Sequence, residues 1–329
     1  MDCRREMNSL TGSTLFIVGS PFQCLCMLEA IHHWQITDYD VIINAMEVNI
    51  PMISRLLNEK GINYECDRKK HLFKEVLPLV FSNHKHYDNV FIGNYYNMAY
   101  QDMALAYCRS NANVICLDDG IQVLELFSDN PRRVKNKVWV DIIQTFFSLY
   151  AFLKKIKRKI FFTIYDVHSE QFTIVKNDFS FLKSEKLEMN RDCYIIGTNS
   201  SKLKFKDIEY KDILLKLIAY LKHNYPEQDV IYCPHRGDKN NEEWKTLLAK
   251  HSVKWFDTKI SVEYDFVNGG ICPKEIIGFN SNALFTLHSL YPKAVLNNVC
   301  FTLKDNREDL EACTIRNGLA NCGINPIIL

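Results

Sequence analysis

No apolar run in this chain is long enough to read as a bilayer span, and no charge excess marks it for nucleic acid. Forty basic residues face 39 acidic ones, a net charge of +1, whereas a nucleic-acid binder normally carries a strong basic excess. The opening residues Met1-Asp2-Cys3-Arg4-Arg5-Glu6 lack the apolar stretch and small-residue cleavage site of a secretory signal. Thr14 to Val18 is apolar but only strand-length. Neither a P-loop nor a Gly-x-Gly-x-x-Gly turn occurs, and no low-complexity tract or solenoid-length repeat is present.

What is there is an ordinary globular composition, 47% hydrophobic and 24% charged. At 329 residues the chain suggests two domains and buries roughly three quarters of its unfolded surface. Its 12 cysteines sit mostly inside apolar runs, as Cys116, Cys193 and Cys233 do. That placement predicts buried, reduced thiols acting as small hydrophobes. The spacings of Cys24 with Cys26 and of Cys313 with Cys322 match neither a zinc ribbon nor a thioredoxin motif. No metal site is expected, and the expected compartment is the cytoplasm.

One segment invites a membrane reading. Val138 to Leu153 is apolar for about 16 residues, short of the ~20 that span a bilayer, and Asp141 and Gln144 interrupt it. Five cations follow within Lys154-Lys155-Ile156-Lys157-Arg158-Lys159. A helix ending in such a cluster can lie on an anionic membrane surface, and peripheral contact with the inner membrane from its cytoplasmic face is the expectation for residues 138–159. The other reading of the same pattern is a core helix with a solvated basic end.

Patterning alternates between periods of two and of about 3.6. Strand-like runs at Ser13–Val18, Tyr39–Asn44, Asn89–Gly93 and Asn113–Leu117 alternate with helical spacing at Phe22–His33, Met52–Lys60 and Met98–Arg109. A polar stretch over 166–190 reads as a linker. The alternation then restarts with strands at Cys193–Ile196, Asp229–Cys233, Val253–Phe256, Glu275–Gly278 and Ala294–Thr302, and helices at Lys211–Asn224, Asn241–His251 and Ser281–Tyr291. This order argues for an α/β chain of two Rossmann-like domains facing a central cleft. They are expected at 1–165 and 191–329.

In open parallel sheets ligands bind beyond the carboxyl ends of the strands, and four turn motifs fall there. Gly19-Ser20-Pro21-Phe22-Gln23 places an N-cap serine and a first-turn proline at a helix start that also suits an anion. Asp118-Asp119-Gly120 leaves a buried strand with two neighbouring carboxylates, whose protons come off in coupled steps and one of which can take a proton from a hydroxyl. Pro234-His235-Arg236 supplies a proton donor near neutral pH and a permanently charged phosphate partner. Ser281-Asn282 caps a helix whose first amides favour phosphate.

Taken together and in order, these motifs resemble the bacterial sialyltransferases of the two-domain GT-B type, glycosyltransferase family 52 and the bacterial polysialyltransferases. Asp118-Asp119-Gly120 matches their acidic-acidic-Gly motif in full. Pro234-His235-Arg236 departs from their His-Pro motif, and Ser281-Asn282 keeps only the first residue of their Ser-Ser/Thr motif. Glu263 stands where those enzymes place a carboxylate on the donor ribose.

The resemblance implies a metal-independent, cofactor-free, inverting transfer of sialic acid from CMP-N-acetylneuraminic acid. The implied acceptor is a galactose- or N-acetylgalactosamine-terminated surface glycan: lipopolysaccharide O-antigen, lipooligosaccharide or capsule. Asp118, in preference to Asp119, would be the base, and His235 would donate to the departing phosphate. Ser20, Pro21, Gln23, Gly120, Pro234, Arg236, Glu263, Ser281 and Asn282 would line the donor site. A different CMP-activated acid such as Kdo, or a non-catalytic polysaccharide-assembly protein, is the alternative.

Overall fold

The computed structural model describes residues 10–67, 84–95, 97–120, 122–127, 155–156, 158–170, 172–183, 189–198, 210–235, 241–300 and 310–328. The chain divides into two compact units, Met1–Phe181 and Leu182–Leu329. Every strand pairing among the described residues is parallel.

The first unit is built on strands β1 (Thr14–Val18), β2 (Tyr39–Ile43), β3 (Glu65–Cys66), β4 (Tyr87–Ile92), β5 (Cys108–Leu117), β6 (Arg158–Thr163) and β7 (Thr173–Lys176). They lie in the order β3-β2-β1-β4-β5-β6-β7. Helices α1 (Pro21–Trp34), α2 (Ile50–Glu59), α3 (Met98–Tyr107) and α4 (Gln122–Leu126) accompany them. Leu15 to Val18 and Val90 to Ile92 are buried throughout, as expected of strands covered on both faces. Phe16 stacks on Phe91 across the β1–β4 pair with centroids 4.4 Å apart, and each such buried side chain stabilises the fold by roughly 1.5–3 kcal/mol.

Helix α1 explains the cysteine usage. Its residues from Gln23 to Ala30 are all buried, so Cys24 and Cys26 serve there as small hydrophobes. Cys108, Cys116, Cys193 and Cys233 are buried as well.

The second unit repeats the plan with β8 (Cys193–Ile196), β9 (Val230–Cys233), β10 (Lys254–Trp255), β11 (Glu275–Gly278), β12 (Val295–Cys300) and β13 (Asn325–Ile328). Their order is β10-β9-β8-β11-β12-β13. Helices α5 (Tyr210–Asn224), α6 (Asn241–Lys250), α7 (Val262–Asn268), α8 (Ala283–Leu290) and α9 (Leu310–Asn321) complete it. Ile213, Leu214, Leu217 and Leu221 of α5 pack with Tyr232 and Phe279 in one core. Both sheets follow the Rossmann strand order.

Beyond the elements β3, α4, α7, α9 and β13, for which the sequence reading has no counterpart, three segments depart from it. Residues 173–176, inside the expected linker, form β7 and pair with β6 in register Thr163↔Lys176. Arg158 and Lys159 open strand β6 rather than ending a helix, and Lys159 is exposed there. Strand β5 starts at Cys108, which cuts α3 short of the expected Arg109. The apolar residues 138–153 lie outside the described residues. No described helix is long and apolar enough to cross a membrane.

Candidate active site

In each sheet the strand order reverses beside the first strand, between β1 and β4 and between β8 and β11. A crevice opens at such a point beyond the carboxyl ends, and the sequence motifs fall around these two points.

In the first unit, Ser20 has extended backbone angles and its side chain accepts from Gln23 N at 3.2 Å, with Pro21 opening the helix. Both are thus helix-start residues, as their types dictate. Gln23 is only 3% exposed and its carboxamide is committed inside the protein. Its Oε1 accepts from Gly19 N at 2.7 Å, and its Nε2 donates to Asp119 Oδ1 at 2.7 Å. At Gly93, the residue after β4, a Cβ would collide with that carboxamide.

Asp119 is half-buried, and its second oxygen, Oδ2, accepts from Asn94 Nδ2. Asn94 in turn accepts from Asn97 N at 3.0 Å, at the start of α3. The loops after β1, β4 and β5 are therefore tied together at one carboxylate. Gly120 follows with φ +66°, a left-handed turn that glycine adopts without steric cost. The Gln23 and Asn94 contacts escape the motif reading, since an amide gains its partner only when strands are ordered in space. The signal available for Asn94 is the strand-Gly-polar pattern that it shares with Gly19-Ser20.

Asp118 faces the other way and is 0% exposed. Its Oδ2 accepts from Ile164 N at 2.7 Å and its carboxyl is hydrogen-bonded to the Thr163 side chain, while Oδ1 is buried without a partner. Burial pushes its pKa up to about 7, against the hydrogen bonds and the Lys176 charge, which pull it down. Of the adjacent pair, the expected base Asp118 is sealed from solvent, and Asp119 keeps partial exposure. The physical reason is the alternation of side chains where β5 ends.

In the second unit, Pro234 and His235 follow β9 and are half-buried; Arg236 lies outside the described residues. Gly197, after β8, sits where a Cβ would crowd the Tyr232 hydroxyl. Beyond β11, Asn280 adopts φ +46°. It is held by a reciprocal pair with Asn298: its N–H donates to Asn298 Oδ1, and Asn298 Nδ2 donates to Asn280 Oδ1, both at 2.8 Å. Ser281 Oγ accepts from Ala283 N at 3.3 Å. Asn282 occupies the cap of α8 without a side-chain cap bond, and its Oδ1 is buried without a partner.

Glu263 lies in the first turn of α7, a helix capped by Ser261, whose Oγ accepts from Tyr264 N at 3.3 Å. It is 8% exposed, so it is not a solvated surface carboxylate. Among the described residues no group of His, Cys, Asp and Glu is arranged to hold a metal ion.

Two successive Rossmann-like units with motifs at their switch points define the GT-B architecture, and solved structures share it. An α/β-galactoside α-2,3-sialyltransferase from Photobacterium phosphoreum matches with a TM-score of 0.57 at 12% identity, over 96% of this chain and 99% of that one. A 2,6-sialyltransferase from Photobacterium sp. JT-ISH-224, crystallised with CMP and lactose, matches with a TM-score of 0.51 at 12% identity, over 96% and 78%. A UDP-GlcNAc 2-epimerase from Methanocaldococcus jannaschii matches with a TM-score of 0.53 at 12% identity, over 96% and 88%. No protein-family model and no curated protein matches the sequence. The likeness establishes the fold, GT-B, and carries no residue roles with it.

Proposed function

We propose that this protein is a sialyltransferase that moves sialic acid from CMP-N-acetylneuraminic acid to a galactose- or N-acetylgalactosamine-terminated glycan of the bacterial surface. The observation that carries this reading is the Asp119 carboxylate. It is fixed by Gln23 and Asn94 where three strand-end loops meet, in a fold shared with sialyltransferases. The neighbour holding CMP and lactose supports a CMP-sugar donor and a glycan acceptor.

In this reading Asp119 is the general base. The acceptor hydroxyl oxygen attacks the anomeric carbon, its proton passes to Asp119, and the bond from that carbon to the CMP phosphate oxygen breaks with inversion. Two amide donors hold the carboxylate in one orientation, which is the positioning a proton acceptor needs. Asp118 lies behind it as a buried support. His235 donates to the departing phosphate, with Arg236 and the start of α8 at Ser281 and Asn282 opposing its charge. Glu263 accepts from the ribose hydroxyls. No metal is required, because the leaving group departs as a phosphate monoester whose charge these donors meet. A cytoplasmic setting, with residues 138–159 touching the anionic inner membrane, belongs to the same proposal.

The test is product analysis with purified protein, CMP-N-acetylneuraminic acid and lactose. Formation of sialyl-lactose with one CMP released per transfer supports the reading. CMP-sugar left intact with every galactose-terminated acceptor sinks it. The 2-epimerase likeness supplies the second reading, which conversion of UDP-GlcNAc to its 2-epimer by the same preparation would favour.

A further inference from the structure

We propose that Lys176 is a positioning residue for the acidic pair, acting on Asp118 through the backbone of Ile164. The inference rests on the assignment of Asp118 and Asp119 to the active site. Lys176 Nζ donates to Ile164 O at 2.7 Å, and Ile164 N donates to Asp118 Oδ2 at 2.7 Å. One residue of main chain thus joins an ammonium to a buried carboxyl.

The connection is built rather than incidental. Lys176 ends β7 opposite Thr163 in register, and the next residue, Asn177, donates its N–H to Thr163 O at 2.8 Å. Strand β7 therefore clamps the end of β6, where both Asp118 partners lie. The ammonium is also paired with Asp166, an exposed carboxylate that keeps it from swinging away. The Lys176 side chain is about half-exposed, so its charge acts on Asp118 partly screened by water.

The groups facing Asp118 come from four directions. Lys176 approaches from β7, Thr163 and Ile164 from the end of β6, Asp119 from its own loop, and Cys26 from α1. Lys176 is the one cation of this set, and its charge favours the ionised form of Asp118 while burial and Asp119 oppose it. Whether Asp118 is ionised sets the repulsion on Asp119, so Lys176 reaches the base through its neighbour.

A double-substitution cycle tests this with a readout that needs no turnover. Folded Asp118 holds its proton more tightly than the unfolded chain does. It therefore contributes stability at low pH that is lost as pH rises toward and through about 7. Removing the cation in K176M moves proton release to still higher pH. The Tm deficit of K176M against wild type is then expected to widen from pH 5 to pH 8.5. In the D118N background the deficit stays constant, and K176R behaves as wild type.

A deficit in K176M that ignores pH, or that widens equally in D118N, overturns the proposal. Carboxyl-selective 13C NMR gives the same quantity independently: the Asp118 midpoint rises in K176M and not in K176R. In CMP release from CMP-N-acetylneuraminic acid, K176M shifts the pH profile and K176R does not. Absence of release in the wild type counts against the sialyltransferase reading, while the stability cycle and the NMR midpoint still decide the role of Lys176.

Discussion

Gln23 donates its side-chain amide to Asp119 at 2.7 Å across 96 residues of sequence, and this bond links the start of the first helix to the acidic motif after β5. The same carboxamide accepts from Gly19 N. One buried side chain thus shapes the first strand-turn-helix and aims the proposed base.

Replacing Gln23 by Ala removes both contacts. The Gly19 N–H loses its partner, which costs about 1–3 kcal/mol where it is buried, and Asp119 is released from one side. Turnover is expected to fall about 10²-fold through misplacement, mostly in kcat, with a Tm below wild type. Gly93→Ala is expected to reproduce the loss by pushing the carboxamide aside. Steady-state kinetics with separate kcat and KM, alongside thermal melts, check both.

The stability contributed by Asp118 and Asp102 is expected to fall as pH rises from 5 to 8. Asp118 and Asp102 are both pushed up to about 7, chiefly by burial, so the folded state binds protons that the unfolded chain has released. The contribution is complete below the ordinary carboxylate range near 4 and is lost as pH passes through 7. Asp102, on α3, lies outside the proposed catalytic groups. The D102N variant is expected to flatten the curve of Tm against pH, and unchanged slopes in both D102N and D118N would contradict the argument.

The Asn280–Asn298 pair makes a prediction for the second unit. Asn298→Ala leaves Asn280 in a left-handed conformation that costs roughly 1–2 kcal/mol, without the bonds that hold it there. Looser placement of Ser281 and Asn282 is expected to weaken CMP binding several-fold, raising the donor KM more than it lowers kcat. Titration calorimetry with CMP measures this directly.

Gly120 is expected to resist substitution. At φ +66° an added Cβ strains the turn by about 1–2 kcal/mol. Gly120→Ala is therefore expected to lower the denaturation midpoint and also turnover, because the turn carries Asp119.

Much of this was legible in the sequence where local chemistry decides local shape. Gly19-Ser20-Pro21 marks a strand end and helix start whatever lies beyond it, and Val18 and Leu117 end continuous apolar runs. Strand β7 escaped because an edge strand needs no apolar face; Thr173 to Val175 are only half-buried and read as linker. Strand β6 escaped because Arg158 and Lys159 at its start resemble a helix's basic end. The choice between Asp118 and Asp119 depends on which way β5 presents its last side chains, and that follows from pairing with β6. Asn94 and Lys176 gain meaning only through partners supplied by other strands.

The most direct test of the central claim is single-turnover release of CMP from CMP-N-acetylneuraminic acid, with lactose as acceptor, in wild type and Asp119→Asn. The account predicts acceptor-dependent release that falls about 10²–10⁴-fold in the variant, while its affinity for CMP is retained. Release at the wild-type rate in Asp119→Asn would contradict it.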